Sequence, residues 1–252
     1  MREHAKDSWL AARNPTVKIG VLTAVSIAVL FLVEPLPLLV LYLVALPAVR
    51  WSTRIPWRVL LPAQLPFVLF GFGVLVVNAL SRPGVQAFDA PVRITVEGLV
   101  FGTALALRAL VIGLGAIAFV ASTRPREMMI SAVQHARVPP RYAYALLAGQ
   151  RSLEAMPRTW ATIRAAQAVR APLRRDGRPR ETVSAFGRAA FALLVGTIRS
   201  SERIALALES RGLGDRPRTL WRPVPIGGLD AVLAVVVGGA FVVVVVGWQV
   251  LA

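Results

Sequence analysis

The sequence predicts an all-α polytopic membrane protein, and two observations lead to this fold class. Hydrophobic residues make up 56% of the chain and form long continuous runs, whereas soluble domains contain roughly 45–50%. A basic stretch, residues 122–222, lies between the fourth apolar run and the last and carries nineteen arginines against seven acidic residues. Because apolar residues recur in it at helical spacing, we expect about five transmembrane helices plus three long amphipathic helices between the fourth and last spans.

Composition excludes several kinds of functional site. The chain contains no cysteine, so disulfides, thiolate metal ligands and cysteine nucleophiles are ruled out. Its two histidines, His4 and His135, are too few and too distant in sequence for a metal cage. The sequence also lacks a G-x-x-x-x-G-K-[ST] phosphate loop and a G-x-G-x-x-G motif. We therefore expect a non-catalytic chain that binds no metal, no cofactor and no ATP of its own.

Residues 1–121 are predicted to form an N-terminal membrane domain with four spans. The first apolar stretch is interrupted at Glu34-Pro35, so it is either one bent span or two short antiparallel spans. Arg50, Arg54 and Arg58 follow this stretch, and basic loops preferentially stay on the cytoplasmic side of a membrane. Two spans keep these arginines on the side of the N-terminus. We therefore predict a hairpin with spans at 19–33 and 36–50.

The third and fourth spans are predicted at residues 59–80 and 98–121. Gly98 and Gly102 in the fourth span have the GxxxG spacing that lets transmembrane helices approach closely. Arg108 is the one charge inside that span, and an arginine in the membrane interior usually faces protein or water. Arg108 either snorkels or pairs with an acidic side chain, or it contributes to a subunit interface.

The C-terminal segment, residues 223–252, is predicted to contain the last span at about residues 226–250. No lysine or arginine follows this span, which agrees with an external C-terminus. Five spans then place the N-terminus and the whole basic segment 122–222 in the cytoplasm.

Three helices are predicted within the basic segment. The first opens at Pro125 and stops before Pro139-Pro140, and the two long ones cover about 141–170 and 182–211. Each long helix ends in an arginine beside small residues, Arg170 in the first and Arg211 in the second. One explanation is the helix macrodipole, which favours a cation at this end by roughly 0.3–1 kcal/mol. The other is that each guanidinium binds carboxylates or carbonyls of a partner protein bidentately.

At these residues the sequence resembles the transmembrane T component of energy-coupling factor (ECF) transporters, the CbiQ- and EcfT-like subunits of ABC-type importers. The family has two Ala-Arg-Gly-like motifs, which appear here as Val169-Arg170-Ala171 and Ser210-Arg211-Gly212. The first keeps only the arginine, and the second differs only by serine for alanine. Further similar segments occur in the family's order: Asn14-Pro15-Thr16-Val17-Lys18, similar to the family's N-terminal Pro-x-x-Lys, Glu97-Gly98-Leu99, Leu107-Arg108, Ser122 to Glu127, Val138-Pro139 and Pro157.

The resemblance implies a transmembrane scaffold that transmits ATP-driven motion of two ABC ATPase subunits to a substrate-binding membrane S component. ATP is then bound by the partner subunits, and the chain lies in a prokaryotic inner or plasma membrane. The residues that the resemblance assigns to ATPase docking are Gln167, Arg170, Ala171, Glu209, Ser210, Arg211 and Gly212. The candidates for the S-component surface are Met128, Met129, Val183, Phe186, Leu193, Leu194 and Leu208.

Two other functions are weighed against this scaffold. A membrane enzyme is disfavoured because the sequence contains no metal-ligand cluster, nucleophile elbow or convergent acid and base. The basic helices could instead form a membrane-surface scaffold with no ATPase partner, since arginine-rich amphipathic helices bind anionic headgroups. Nucleic acid is not expected as a partner. The transported substrate, a vitamin or a metal ion, is not encoded in this chain.

Overall fold

The computed structural model describes residues 8–86, 94–171, 182–213 and 223–251. In these ranges the regular structure consists of helices and one isolated antiparallel bridge between Gln86 and Thr95, so the all-α class is confirmed. The helices are α1 (Pro15–Leu30), α2 (Pro35–Thr53), α3 (Trp57–Ser81), α4 (Val96–Ser122), α5 (Pro125–His135), α6 (Pro140–Ala168), α7 (Val183–Ser210) and α8 (Gly228–Leu251).

The described residues divide into two compact units. One unit contains the residues up to Ser131 together with those from Val224 onward, and the other contains the residues between Ala132 and Pro223. The first unit therefore holds α1 to α4, most of α5, and α8. The second holds the long basic helices α6 and α7.

Within the residues that the structure describes, four helices are long and apolar enough to cross a membrane, namely α2, α3, α4 and α8. Helix α1 is apolar but has only 16 residues, so it extends about 24 Å against a hydrocarbon core of roughly 30 Å. Many large apolar side chains on these helices are exposed, as expected where helices face lipid tails rather than water. The chain is a membrane protein, and the count of five spans stays a prediction.

Helices α1 and α2 are separate elements that lie antiparallel. The backbone N–H of Leu10, before α1, donates to the carbonyl of Ser52 near the end of α2 at 3.2 Å. Glu34 is the N-cap residue of α2, so the break falls where the Glu34-Pro35 pair predicts it. This geometry favours the hairpin over a single bent span.

The bounds of the first span differ from the prediction of 19–33. Helix α1 begins four residues earlier because Asn14 caps it with its side chain and Pro15 occupies the first helical position. It also ends three residues earlier, at Leu30. Hydropathy locates an apolar run, but the local capping residues decide where the helix starts.

Helices α3 and α4 pack closely along glycines of α4. A Cβ atom at Gly102 would lie 3.0 Å from the Cα of Leu75, and one at Gly98 would lie 2.9 Å from the Cα of Ala79. Both distances are shorter than ordinary carbon–carbon contacts, so the two backbones approach to a distance that only glycine permits. The GxxxG spacing in the fourth span therefore marks a real helix contact.

Arg108 bonds backbone carbonyls of its own chain, and its expected part in a subunit interface stays a prediction. Its guanidinium donates to the backbone carbonyls of Leu30 at 3.2 Å and Leu32 at 2.8 Å, at the end of α1. Among the described residues no acidic side chain pairs with it. The last carbonyls of a helix lack intrahelical partners, and inside a membrane water cannot satisfy them. Arg108 thus caps the C-terminal end of α1.

Candidate docking site on the long basic helices

Helix α6 carries the first of the two arginine motifs at its end. The helix begins at Pro140, where a missing N–H is harmless, and continues through Pro157 to Ala168. Val169 is its C-cap residue, so Arg170 lies one position beyond the cap. The N–H groups of Arg170 and Ala171 donate to the carbonyls of Gln167 and Ala168, respectively. Each bond joins residues three apart, so the chain continues beyond the helix in two successive tight turns. Arg170 is exposed to solvent.

Helix α7 carries the second motif, and its end has a different geometry. Arg211 is itself the C-cap residue, and Gly212 follows with a left-handed φ of 73°. The Gly212 N–H donates to the Glu209 carbonyl at 2.8 Å, and the Leu213 N–H donates to the Leu208 carbonyl at 2.9 Å. These two bonds form a Schellman motif, which requires glycine at this position for its φ. Arg211 is exposed at the tip of this fixed turn.

The two motifs are therefore not equivalent in structure. Gly212 fixes the turn around Arg211, whereas the segment Val169 to Ala171 contains no glycine and no residue with positive φ. The departures of the first motif from the family pattern thus coincide with a different turn. Arg211 occupies the C-cap position and Arg170 the position after it.

Helices α6 and α7 contact each other over a short region. The rings of Trp160 and Phe186 meet edge to face with centroids 5.2 Å apart, and Ala189 is fully buried. With its amide oxygen and nitrogen assigned by their hydrogen-bond partners, the Gln167 side chain donates to the Ala185 carbonyl and accepts from the Ala189 N–H. Each distance is 3.1 Å. Gln167 therefore holds the helix pair together in this structure, while its predicted part in docking stays a prediction.

The two arginines lie at very different distances from the region where α6 and α7 make contact. Arg170 lies three residues beyond Gln167, close to the helix contact, whereas Arg211 lies 22 residues beyond Ala189 along α7. At 1.5 Å per helical residue, Arg211 is on the order of 30 Å from the contact region. The two guanidinium groups consequently do not converge on one pocket.

Large apolar side chains remain exposed on α7. Val183, Phe186 and Leu194 from the predicted surface are exposed, and Leu193 and Leu208 are partly buried. Phe191, which is 67% exposed, and Ile198 were not among the predicted residues. Their spacing of three and four residues from Leu194 was the available signal, because it places all three side chains on one face of the helix.

Met128 and Met129 lie on α5, in the first unit. Both are partly buried, so part of each side chain is accessible. The same helix begins with an ion pair of Arg124 and Glu127, whose nearest atoms are 3.2 Å apart. In the part of the chain that the structure describes, no group of three or more His, Cys, Asp or Glu side chains is placed to hold a metal ion.

Comparison with known protein families gives one match. The model of the family CbiQ, described as cobalt transport protein, matches residues 6–220, which is most of the chain. The match includes α1 to α7 with both arginine motifs. A comparison with curated protein sequences found no match.

Proposed function

This chain belongs to the CbiQ cobalt transport protein family, and we propose that it is the transmembrane T component of an ECF-type ABC importer. In this role the chain is a non-catalytic scaffold. It transmits the motion of two ATPase subunits to a separate substrate-binding S component. The family's description makes Co²⁺ the first substrate to test, and a vitamin is the alternative.

The observation that carries the proposal is the pair of long basic helices with two separate arginine ends. Arg170 and Arg211 are exposed and lie on the order of 30 Å apart, so one small ligand cannot contact both. Two copies of an ATPase subunit, each receiving one helix end, match this separation. A guanidinium at each end offers a planar fork of donors to carboxylates or backbone carbonyls of the partner.

The turn around each arginine supports insertion into a groove. Ala171, Ser210 and Gly212 are small, and the Schellman turn at Gly212 presents Arg211 with little conformational freedom to lose on binding. Glu209 lies beside this turn and adds an acceptor for a basic residue of the partner. ATP binding belongs to the partner subunits in this arrangement.

The exposed apolar face of α7 is the proposed surface for the S component. Phe191, Leu194 and Ile198 lie on it. Phe186 is exposed at a different angle around α7, and Met128 and Met129 on α5 extend the set of candidate contacts. Flexible methionines and large apolar side chains suit a surface that must accommodate a moving partner. The proposed location is a prokaryotic plasma membrane, with α5 to α7 in the cytoplasm and the C-terminus outside.

The experiment is co-purification of the tagged chain in mild detergent. The wild-type chain is expected to retain two ATPase subunits and a small, very hydrophobic subunit. Arg170→Glu combined with Arg211→Glu is expected to lose the ATPase subunits while membrane insertion is unchanged. The matched control is Arg158→Glu with Arg199→Glu, which makes the same charge change at exposed positions within the same two helices. ATPase binding that survives the first double variant contradicts docking through these arginines.

A further inference from the structure

A buried polar cluster in the first unit surrounds Asn14, which is 2% exposed. Its Oδ1 atom accepts from the backbone N–H of Thr16 at 2.9 Å and from the hydroxyl of Ser131 at 2.7 Å. Its Nδ2 atom donates to the backbone carbonyl of Val224 at 3.0 Å. One carboxamide therefore bonds three chain segments, two of which are more than 100 residues away in sequence.

Asp230 joins the same cluster from α8. One carboxylate oxygen accepts from the backbone N–H of Asn14 at 2.9 Å, and the other accepts from the backbone N–H of Gly227 at 2.8 Å. Asp230 is itself 4% exposed. The start of α8 is thus attached to the start of α1 by a carboxylate whose two oxygens both have donors, as a buried charge requires.

Lys18 attaches the end of α4 to the same turn of α1. Its ammonium group donates to the Ser122 carbonyl at 3.1 Å. Lys18 is 4% exposed, so this buried donor needs such an acceptor. The Pro15 to Lys18 segment, which carried part of the family resemblance, therefore serves to hold other helices.

Ser131 and Val224, which this cluster joins, lie at the two boundaries between the units. Ser131 is the residue at which the chain leaves the first unit, and Val224 is the residue at which it returns. The second unit, with both arginine motifs, lies entirely between them in sequence. The amide side chain supplies an acceptor for Ser131 and a donor for Val224 from two different atoms, which suits asparagine at position 14.

We propose that Asn14 is a positioning residue for transport, because it clamps to α1 the two residues of the first unit, Ser131 and Val224, between which the second unit is inserted in the sequence. This inference rests on the proposed function. When the ATPase subunits move α6 and α7, the clamp passes that displacement to α1, α4 and α8. Without it, the displacement is absorbed by local movement of residues 125–131 and 224–230, and hydrolysis is uncoupled from transport.

The clamp itself is tested by amide hydrogen exchange on the full chain in lipid nanodiscs. Asn14→Ala is expected to accelerate exchange at both attachments, roughly tenfold at the N–H groups of Gly227 and Asp230. Ser131→Ala, which leaves the bond to Val224 intact, is expected to accelerate exchange in residues 125–131 alone. The control is Asn78→Ala, because the Asn78 side chain bonds only within its own helix, to the Val74 carbonyl. Unchanged exchange at Gly227 and Asp230 in Asn14→Ala overturns the clamp.

Coupling is tested in proteoliposomes that contain the complete complex, with radioactive Co²⁺ as the probe. Asn14→Ala is expected to assemble and to hydrolyse ATP within about twofold of wild type, while Co²⁺ taken up per ATP falls at least about fivefold. Ser131→Ala provides the same readout if Asn14→Ala does not assemble. An unchanged ratio of Co²⁺ to ATP in assembled complexes overturns the coupling role.

A reversible cross-link tests the clamp by closing it covalently, whereas the variants above open it. The hydroxyl oxygens of Thr16 and Ser131 are 2.6 Å apart, and the chain has no native cysteine, so Thr16→Cys with Ser131→Cys gives a single disulfide. The double substitution removes the Ser131 hydroxyl, so the reduced complex is expected to show the low ratio of Co²⁺ to ATP of Ser131→Ala. The disulfide closes the same attachment and is expected to raise that ratio. Transport that is lost on oxidation and restored by reduction overturns the proposal. A wild-type complex without ATPase subunits would instead contradict the proposed function, and the exchange measurement would still decide the clamp.

Discussion

Arg211→Ala separates the two explanations of this residue by the size of its effect. Arg211 is the exposed C-cap residue of α7, so the macrodipole accounts for roughly 0.3–1 kcal/mol of helix stability. A guanidinium that is desolvated and paired in a protein interface typically accounts for about 2–5 kcal/mol when truncated. In dissociation constants, the first effect amounts to at most about fivefold and the second to roughly thirtyfold or more.

The assay is the dissociation constant between the full chain in nanodiscs and the ATPase subunits that co-purify with it. Arg211→Lys is the informative companion variant. Lysine keeps the charge that the macrodipole favours but loses the planar fork of donors, so docking predicts that most of the loss remains. Arg199→Ala, at an exposed position in the middle of α7, controls for the general loss of a positive charge.

The reasoning is refuted by either of two results. The first is a change of less than about fivefold for Arg211→Ala, since the macrodipole alone covers that range. The second is an equal loss for Arg199→Ala, because the effect would then depend on net charge rather than on the helix end.

Two further predictions concern the stability of the membrane helices, measured as the midpoint of thermal unfolding in detergent. Gly102→Ala is expected to lower the midpoint because its Cβ would lie 3.0 Å from the Cα of Leu75, and overpacking typically costs about 1–3 kcal/mol. Gly73→Ala is the control, since a Cβ there meets no atom within 4 Å, and a drop of the same size in both variants would contradict the close contact. Arg108→Met is expected to cost about 1–3 kcal/mol by leaving the two carbonyls at the end of α1 without a donor. The exposed Arg58→Met serves as its control, and equal midpoints for the two variants would exclude the capping role.

Local signals in the sequence located the ends of several helices well. Thr182 was expected at the start of the third basic helix, and it caps α7 by accepting from the Ala185 N–H. The helix end was expected at Arg211 beside small residues, and the positive φ of Gly212 completes the Schellman turn there. Both are interactions between residues close in sequence, so a local pattern is sufficient to predict them.

Other features could not be read from a pattern of spacing. The sequence indicated that Arg108 needs a partner inside the membrane, but its acceptors lie 76 and 78 residues away and are backbone carbonyls, which any residue possesses. The spacing of Phe191 from Leu194 gives the two residues a common helix face, but spacing does not reveal whether a neighbouring helix covers that face.

The amino-acid sequence by itself determined the membrane class, the order of the helices, the family resemblance and the two arginine ends. These follow from composition, helical periodicity and capping, which act over a few residues. Only the tertiary structure decided that the arginine ends are far apart and that Asn14 bonds both Ser131 and Val224. The physical reason is that such contacts depend on how helices distant in sequence pack, and many different sequences with the same local periodicity would pack differently.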